Sequence, residues 1–324
     1  MNNQLTVERG KNMSRTRESK KKSKGLQMNS ASNLLVLGAT GQVGRLVAEY
    51  LKRSKANFSV GSRRKENLQE LADQFGASRF IDLDDPRTFD QALKDVTGIF
   101  LITGYTVDML VQSKSLIDAA RRNGVKHIVH LGAFTTDRDA YATVFAWHQM
   151  IEIYLQASGV AWTNLHPNMF MQNLLGYAAI KSGRYSYYTS KALGYTALED
   201  VAESAARILI EGPKKHSGRD YWFSADVLTA KQVAETLAEA TGRKFTAAVR
   251  TAETFQSDAE QPGSIFEPAY AKGGLEFFRY VEDGRMAYAG SVRDDTEQIL
   301  GREPFLLKEW AKLHANELLQ IAGS

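Results

Sequence analysis

The chain has 324 residues, 43% hydrophobic and 24% charged, with no cysteine, which describes a globular protein long enough for one large or two small domains around a sizeable core. Lack of cysteine excludes disulfides, thiolate metal ligands and a cysteine nucleophile, and leans towards a reducing, cytoplasmic setting. The net charge of +4 arises at the start: eight of 41 Lys/Arg but two of 37 Asp/Glu fall in the first 28 residues, and the remaining 33 and 35 leave −2, no bulk electrostatic case for nucleic acid.

Residues 1–32 lack apolar periodicity and a continuous hydrophobic run, so they read as a disordered basic leader rather than a signal peptide or membrane span. A floppy extension, residues upstream of a start at Met28, and an organelle-targeting peptide all fit. No later apolar run approaches membrane length.

Leu34, Leu35, Val36 and Leu37 then run into Gly38, Gly41 and Gly44, the pattern of a buried parallel strand entering a tight turn. Val43, Leu46, Val47, Tyr50 and Leu51 follow at helical spacing. A glycine at the first position allows the turn, at the second lets a pyrophosphate approach the backbone, and at the third lets helix pack on strand. The free N–H groups of the helix start suit phosphates, so Gly38, Thr40, Gly41, Gln42 and Val43 are assigned to a dinucleotide.

Residues 58–61 give the second strand, ending in Gly61-Ser62-Arg63-Arg64 with no acid before Glu66. A free 2′-hydroxyl wants a carboxylate about 20 residues past the glycines, whereas a 2′-phosphate wants arginine. Ser62 and Arg63 therefore point to NADP(H). A helix over 66–74 leads to a third strand and its exit over 79–85, placing Asp82 and Leu83 against an adenine. The fourth strand, 98–105, ends in Thr103, Gly104 and Tyr105, where a dinucleotide crosses the sheet; Tyr105 is a candidate to line the nicotinamide site. A helix carrying Met109, Leu116 and Ala120 stops at Asn123-Gly124, and 127–133 is the fifth strand, with Ala133 and Phe134 at its exit. His127 and His130 point to opposite faces and form no metal pair.

The next helix, 142–156, carries Trp147, His148 and Glu152, and the sixth strand, 160–165, runs into Pro167, Asn168, Met169 and Phe170. His148 is the acid candidate, with a pKa near neutrality and Glu152 one turn on; Asn168 and Phe170 are placed by the nicotinamide. Tyr185, Tyr187, Tyr188 and Tyr195 crowd a stretch that would stack on an aromatic substrate or fill a core. Asp200 is expected to cap a helix through Ile210, residues 221–223 to form a further strand, and Thr229 with Gln232 a capping box. Residues 256–275 read as a mobile loop, and Leu306, Leu307, Trp310, Leu313 and Leu318 as the apolar side of a closing helix. Strands alternating with helices at this rhythm predict an α/β fold, a doubly wound parallel Rossmann sheet. Its dinucleotide-binding core would span 33–170, and 171–324 would be mainly a smaller C-terminal portion covering the substrate, with some segments returning to the core.

These residues resemble the NmrA-like group of atypical short-chain dehydrogenases/reductases. The carriers are Gly38-Ala39-Thr40-Gly41-Gln42-Val43-Gly44, Arg63, Asp82-Leu83, Gly124-Val125-Lys126, His148 to Glu152, Pro167-Asn168-Met169-Phe170 and Leu198-Glu199-Asp200-Val201-Ala202. The resemblance covers about residues 33–245 and implies NADP(H) at the glycine loop and arginine, in a family that ranges from quinone, dye and iminium reductases to regulators that only sense the cofactor. The mainstream relatives' Ser and Tyr-x-x-x-Lys are missing: Ala133 stands at the serine position, Phe145 follows Tyr141, and the matches Tyr177/Lys181 and Tyr187/Lys191 come after the sixth strand. The expected activity is thus NADPH-dependent hydride transfer to a small quinone-like or conjugated aromatic acceptor that tolerates a weak proton source. The alternative is a non-catalytic NADP(H) sensor. The expected state is a monomer or homodimer.

Overall fold

The computed structural model describes residues 32–104, 106–135, 142–176, 180–261 and 267–323. The apolar run before Gly38 forms β1 (Leu34–Val36), fully buried, and Gly41 precedes α1 (Gln42–Arg53), whose Val43, Val47 and Leu51 face the core. The alternation continues through β2 (Phe58–Ser62), α2 (Leu68–Phe75), β3 (Ser78–Phe80), α3 (Phe89–Ala92), β4 (Gly98–Leu101), α4 (Met109–Arg122), β5 (His127–Leu131), α5 (Thr143–Ala157) and β6 (Ala161–Pro167). The second half adds β7 (Met169–Phe170), β8 (Ile180–Lys181), β9 (Arg184–Tyr187), β10 (Leu193–Thr196), α6 (Leu198–Glu211), α7 (Pro213–His216), β11 (Arg219–Phe223), β12 (Asp226–Leu228), α8 (Ala230–Thr241) and β13 (Thr246–Val249). It ends with α9 (Ala252–Ala259), α10 (Pro268–Glu282), α11 (Thr296–Leu300), α12 (Leu307–Leu313) and α13 (Ala315–Gly323).

Seven strands form one parallel sheet in the order β11-β6-β5-β4-β1-β2-β3. The chain moves outward from β1 to β3 and then restarts on the other side of β1 with β4. That reversal leaves a crevice at the carboxyl ends of β1 and β4, where such sheets take ligands. One face is covered by α1 and α6 around Val36, Val47, Phe100, Val129, Val201 and Phe223; the other by α3, α4 and α5 around Leu35, Phe89, Ile99, Leu116, Ile128 and Ile151. A third cluster, with Tyr185, Tyr195, Phe277, Phe278 and Trp310, joins two three-stranded sheets, β12-β10-β7 and β13-β9-β8, to α8, α10 and α12. Among the described residues no helix is long and apolar enough to cross a membrane.

Four expectations change. Residues 252–259 and 268–282 are helices: Pro268 sits at the first helical position, where its missing N–H is harmless, and Gly273 and Gly274 lie where an added Cβ would strike Val144 and Phe255. Asp200 is no cap. It lies in the first turn of α6, whose cap position is Ala197, and accepts from Arg302 Nη1 at 2.7 Å and Phe305 N at 2.8 Å, tying the segment before α12 to α6. The closing helix breaks at His314 into α12 and α13; Leu307, Trp310 and Leu318 are buried, but Leu306 and Leu313 are exposed. The third strand is short, stopping at Phe80, because Asp82 and Asp85 open a turn through Asp82 N to Thr88 Oγ1 and Asp85 N to Asp82 O. The Thr229/Gln232 capping box is present as read.

Candidate active site

The glycine turn is held to its shape by sterics. Gly38 has φ +68°, in the left-handed region, and a Cβ on Gly44 would lie 2.4 Å from the Gly38 carbonyl oxygen. Gly41, extended at the helix cap position, offers no side-chain acceptor, and the first turn of α1 has no acidic residue. The leading N–H groups of α1 thus stay available for phosphate oxygens. Gly38, Thr40, Gly41 and Gln42 are exposed, whereas the side chain of Val43 is turned into the core.

At the end of β2 the buried Ser62 hydroxyl is engaged in a local turn, accepting from Arg64 N at 3.1 Å and donating to Arg64 O at 3.2 Å. That turn throws Arg63 into solvent. Arg63 Nη1 sits 3.6 Å from Asp84 Oδ2, an exposed pair of small energetic weight that a phosphate can replace. Asp84 is also held by Gln112 Nε2 at 2.6 Å, and Asp82 Oδ1 accepts from Asp84 N at 3.1 Å. Asp82 and Leu83 are half-buried beside this loop, while Thr103 and Gly104 leave β4 towards the crevice. Tyr105 lies outside the described residues, as do Tyr141 and Tyr177.

Beyond the crevice a cavity of about 270 Å³ opens beside the exits of β5 and β6. At roughly 4.8 Å per strand, β5 and β6 stand about 10 and 14 Å from β1, so one extended ligand can run from the glycine turn to the cavity mouth. The floor is Leu131, Gly132, Ala133, Phe134 and Pro167 to Phe170; α5 contributes Val144, Phe145 and His148. The rest of the wall is mainly aromatic, with Tyr185, Tyr187, Tyr188, Tyr195, Phe255, Tyr270, Phe277 and Phe278 beside Asn173, Leu174, Ser186 and Asp258. Phe145 stacks on Phe277 at 5.3 Å and 7°, and Tyr188, Phe255 and Phe278 meet mutually at 5.1 to 5.4 Å. Asp258, the one acid on the wall among the described residues, is bound by Arg250 Nη1 at 2.5 Å and by the Tyr188 hydroxyl at 3.0 Å. Burial pushes the Tyr188 and Tyr195 hydroxyls up to about 12, so these two tyrosines are poor proton donors near neutrality.

Asn168 is engaged structurally: its side-chain nitrogen donates to Ala289 O at 2.9 Å and Ser224 Oγ at 3.2 Å, and its oxygen accepts from Met169 N at 3.0 Å. His148 borders the cavity but is buried, which pushes its pKa down to about 4; near neutrality it is an uncharged imidazole. Glu152 carries an ion-pair contact elsewhere, with Oε1 3.6 Å from His166 Nδ1 and 4.0 Å from His130 Nδ1. His127 is on the other face, Nε2 at 2.8 Å from Thr163 Oγ1, so the strand separates it from His130 as its spacing requires. Among the described residues no three His, Asp or Glu side chains converge as a metal site would need.

Sequence reading missed the roof, Phe255, Phe277 and Phe278, which flank residues 256–275, because with that range read as a loop no helix was recognised to carry them. It also missed the inward trio His130, His166 and Asp220. Strand alternation carried a signal for these: His130, then Asn164 and His166, then Asp220 and Trp222, fall on one face of three neighbouring strands.

The sequence pattern of the NmrA-like family matches residues 30–277, most of the chain. The chain belongs to this family. Among relatives of this NmrA-like protein, the NAD(P)H azoreductase of Xenophilus azovorans is 28% identical over 285 residues, 87% of this chain and 98% of the relative. Among solved structures, an NADPH-dependent quinone oxidoreductase complexed with NADPH from Escherichia coli is 23% identical with a TM-score of 0.74, covering 86% of this chain and 99% of that one. NmrA itself, a negative transcriptional regulator in complex with NADP, is 17% identical with a TM-score of 0.67, covering 87% and 94%. At these identities the two structures share the NmrA-like fold, and both enzyme and regulator stand on it.

Proposed function

We propose that the protein is an NADPH-dependent oxidoreductase that transfers hydride to a small quinone-like or conjugated aromatic acceptor. The observation that carries this reading is the aromatic-walled cavity abutting the exits of β5 and β6, at the far end of a crevice that starts at the glycine turn. The residues fit the dinucleotide: a Cβ-free turn, uncapped N–H groups at α1, and the solvent-facing guanidinium of Arg63 within reach of a 2′-phosphate. The azoreductase relative supports the same chemistry.

The bound cofactor supplies the hydride. Gly38, Thr40, Gly41, Gln42 and Val43 would hold the pyrophosphate through backbone N–H groups, Arg63 the 2′-phosphate, with Ser62 shaping the turn that presents it rather than binding directly as the sequence suggested, and Asp82 and Leu83 the adenine. Thr103, Gly104, Ala133, Phe134 and Asn168 would border the nicotinamide, the last by holding the floor in place. Phe145, Phe277, Phe278 and Tyr188, packed into one aromatic wall, would lie against a planar acceptor and exclude water. Catalysis is then mainly orientation of the acceptor against the hydride donor, with His148 the polar group at the acceptor's edge.

The test is a fluorescence titration of the purified protein with NADPH and NADH, followed by addition of quinones, azo dyes and cationic dyes. Tight NADPH binding and loss of its fluorescence on adding an acceptor are expected. Binding without oxidation by any acceptor overturns the reductase in favour of the cofactor sensor, and absence of binding overturns the assignment of the glycine turn.

A further inference from the structure

Behind the cavity lies a buried cluster that hydride transfer does not use. His130 on β5, Asn164 and His166 on β6 and Asp220 on β11 share one face of the sheet, and α5 lays His148 and Glu152 over it. His166 Nδ1 is 2.9 Å from the Ala133 carbonyl oxygen, which only accepts, so this nitrogen bears a proton. Its Nε2 is 3.2 Å from Asp220 Oδ1, a carboxylate that also accepts from Asn164 Nδ2 at 2.9 Å. Both ring nitrogens face acceptors, an arrangement that favours the charged imidazolium, and the ring stacks on Trp222 at 4.9 Å and 16°. Burial opposes that charge, but Asp220, Glu152 and the Ala133 carbonyl together hold the His166 pKa above its ordinary value.

Glu152 Oε1 stands between the charged ring and the next one, 3.6 Å from His166 Nδ1 and 4.0 Å from His130 Nδ1. His130 lies 5.6 Å from His148, centroid to centroid, and His148 forms part of the cavity wall. Burial keeps both of these rings neutral, and a neutral imidazole can take a proton on one nitrogen while releasing one from the other. Nδ1 of His148 has no hydrogen-bond partner among the described residues. At the far end the Asp220 side chain is 28% exposed, which opens the cluster to water.

Resting on the reductase reading, we propose that His166 stores a proton and that Glu152, His130 and His148 relay it to the acceptor, with Asp220 returning a proton from solvent. For a quinone or an azo compound the balance is one hydride and one proton: a π bond of the acceptor breaks, hydride forms one new bond to hydrogen, and the proton that leaves His166 forms the other. A cationic triarylmethane dye is neutralised by hydride alone and makes no demand on the relay. The relay therefore separates two acceptor classes that share one cavity.

Two measurements test this. In cofactor-free protein, nitrogen-15 NMR of the histidine side chains should show both His166 nitrogens protonated at pH 6.5, with deprotonation at lower pH in Asp220→Asn. Among the described residues, the charged and titratable groups facing His166 are Glu152 and His148 from α5, His130 from β5 and Asp220 from β11. Arg293 lies 3.1 Å over the Trp222 ring and acts through Asp220. With NADPH, the ratio of quinone turnover to cationic-dye turnover should fall at least tenfold in Asp220→Asn and in Glu152→Gln, and in the wild type it should fall as pH rises through the His166 pKa. Equal loss on both acceptors, an unchanged ratio, or a neutral His166 overturns the relay alone. A wild-type protein that reduces neither acceptor overturns the reductase reading and the relay together.

Discussion

The two ends of the crevice are built from opposite materials. At the end of β2 the recognition groups are short loops with exposed charges, Arg63, Asp84 and the Ser62 turn, whose order comes from local hydrogen bonds. At the exits of β5 and β6 the cavity wall is mainly aromatic, with the uncharged imidazole of His148, and its order comes from packing between elements distant in sequence, such as Phe145 on Phe277. The exposed end recognises charge; the buried end excludes water and selects shape. Mutations at the first should alter cofactor choice with little effect on stability, and changes at the second should couple binding to stability.

Acid gives the largest expected effect on this contrast. Burial lowers His148, and His127 beneath the neighbouring sheet face, to about 4 from 6.5. A depressed histidine contributes stability above its unfolded pKa and loses it as pH falls through 6.5 towards 4, to a limit of roughly 3 kcal/mol per group. His166 has the opposite sign: its raised pKa makes its contribution complete below 6.5 and lost as pH rises through the folded value. Denaturant melts should show stability dropping by several kcal/mol between pH 6.5 and 4. Hydrogen exchange should show β5, β6 and α5 loosening before β1 to β3. Uniform loosening would remove the distinction between the two ends.

The next effect belongs to the exposed end. Arg63→Asp reverses a charge facing the 2′-phosphate and should weaken NADPH about 100-fold, roughly 3 kcal/mol, while NADH changes by no more than about threefold. The melting temperature should hold, because the Arg63–Asp84 pair is exposed. Equal weakening of both cofactors would cancel the role given to Arg63.

The same contrast explains what could be read before the fold was seen. Gly38, Gly44, Arg63 and the strand rhythm are local signals: each depends on neighbours within a turn or two, so periodicity and residue type suffice. The match of the family pattern to residues 30–277 agrees with the resemblance those residues carry. Asp200 misled because an acid near a helix start resembles a cap, and its partner Arg302 is 102 residues away. Residues 256–275 misled because Pro268, Gly273 and Gly274 are breakers by propensity, whereas here the proline starts a helix and the glycines admit Val144 and Phe255. His166 reads from sequence as lying just past the sixth strand, one residue outside 160–165, and its charge depends on Ala133, Glu152 and Asp220 from three other segments. Long-range partners, not residue types, made the buried end hard to read.

Gly274 offers the smallest and sharpest test of the separation between the ends. A Cβ there would lie 2.0 Å from Cε1 of Phe255, so the ring must swing, and it is flanked by Tyr188 at 5.2 Å and Phe278 at 5.1 Å. Overpacking of this kind costs about 1–3 kcal/mol, while replacing glycine by alanine inside a helix returns about 1 kcal/mol. The stability of Gly274→Ala should therefore fall by no more than about 2 kcal/mol. The displaced ring reshapes the acceptor wall, so KM for a planar acceptor should rise roughly 3- to 10-fold, about 1 kcal/mol, with NADPH affinity unchanged. A smaller acceptor should suffer less than a larger one, since the ring removes volume and leaves the polar groups of the floor in place. If NADPH affinity fell in step with KM, α10 would reach the cofactor end as well, and the crevice would be one site rather than two joined ends.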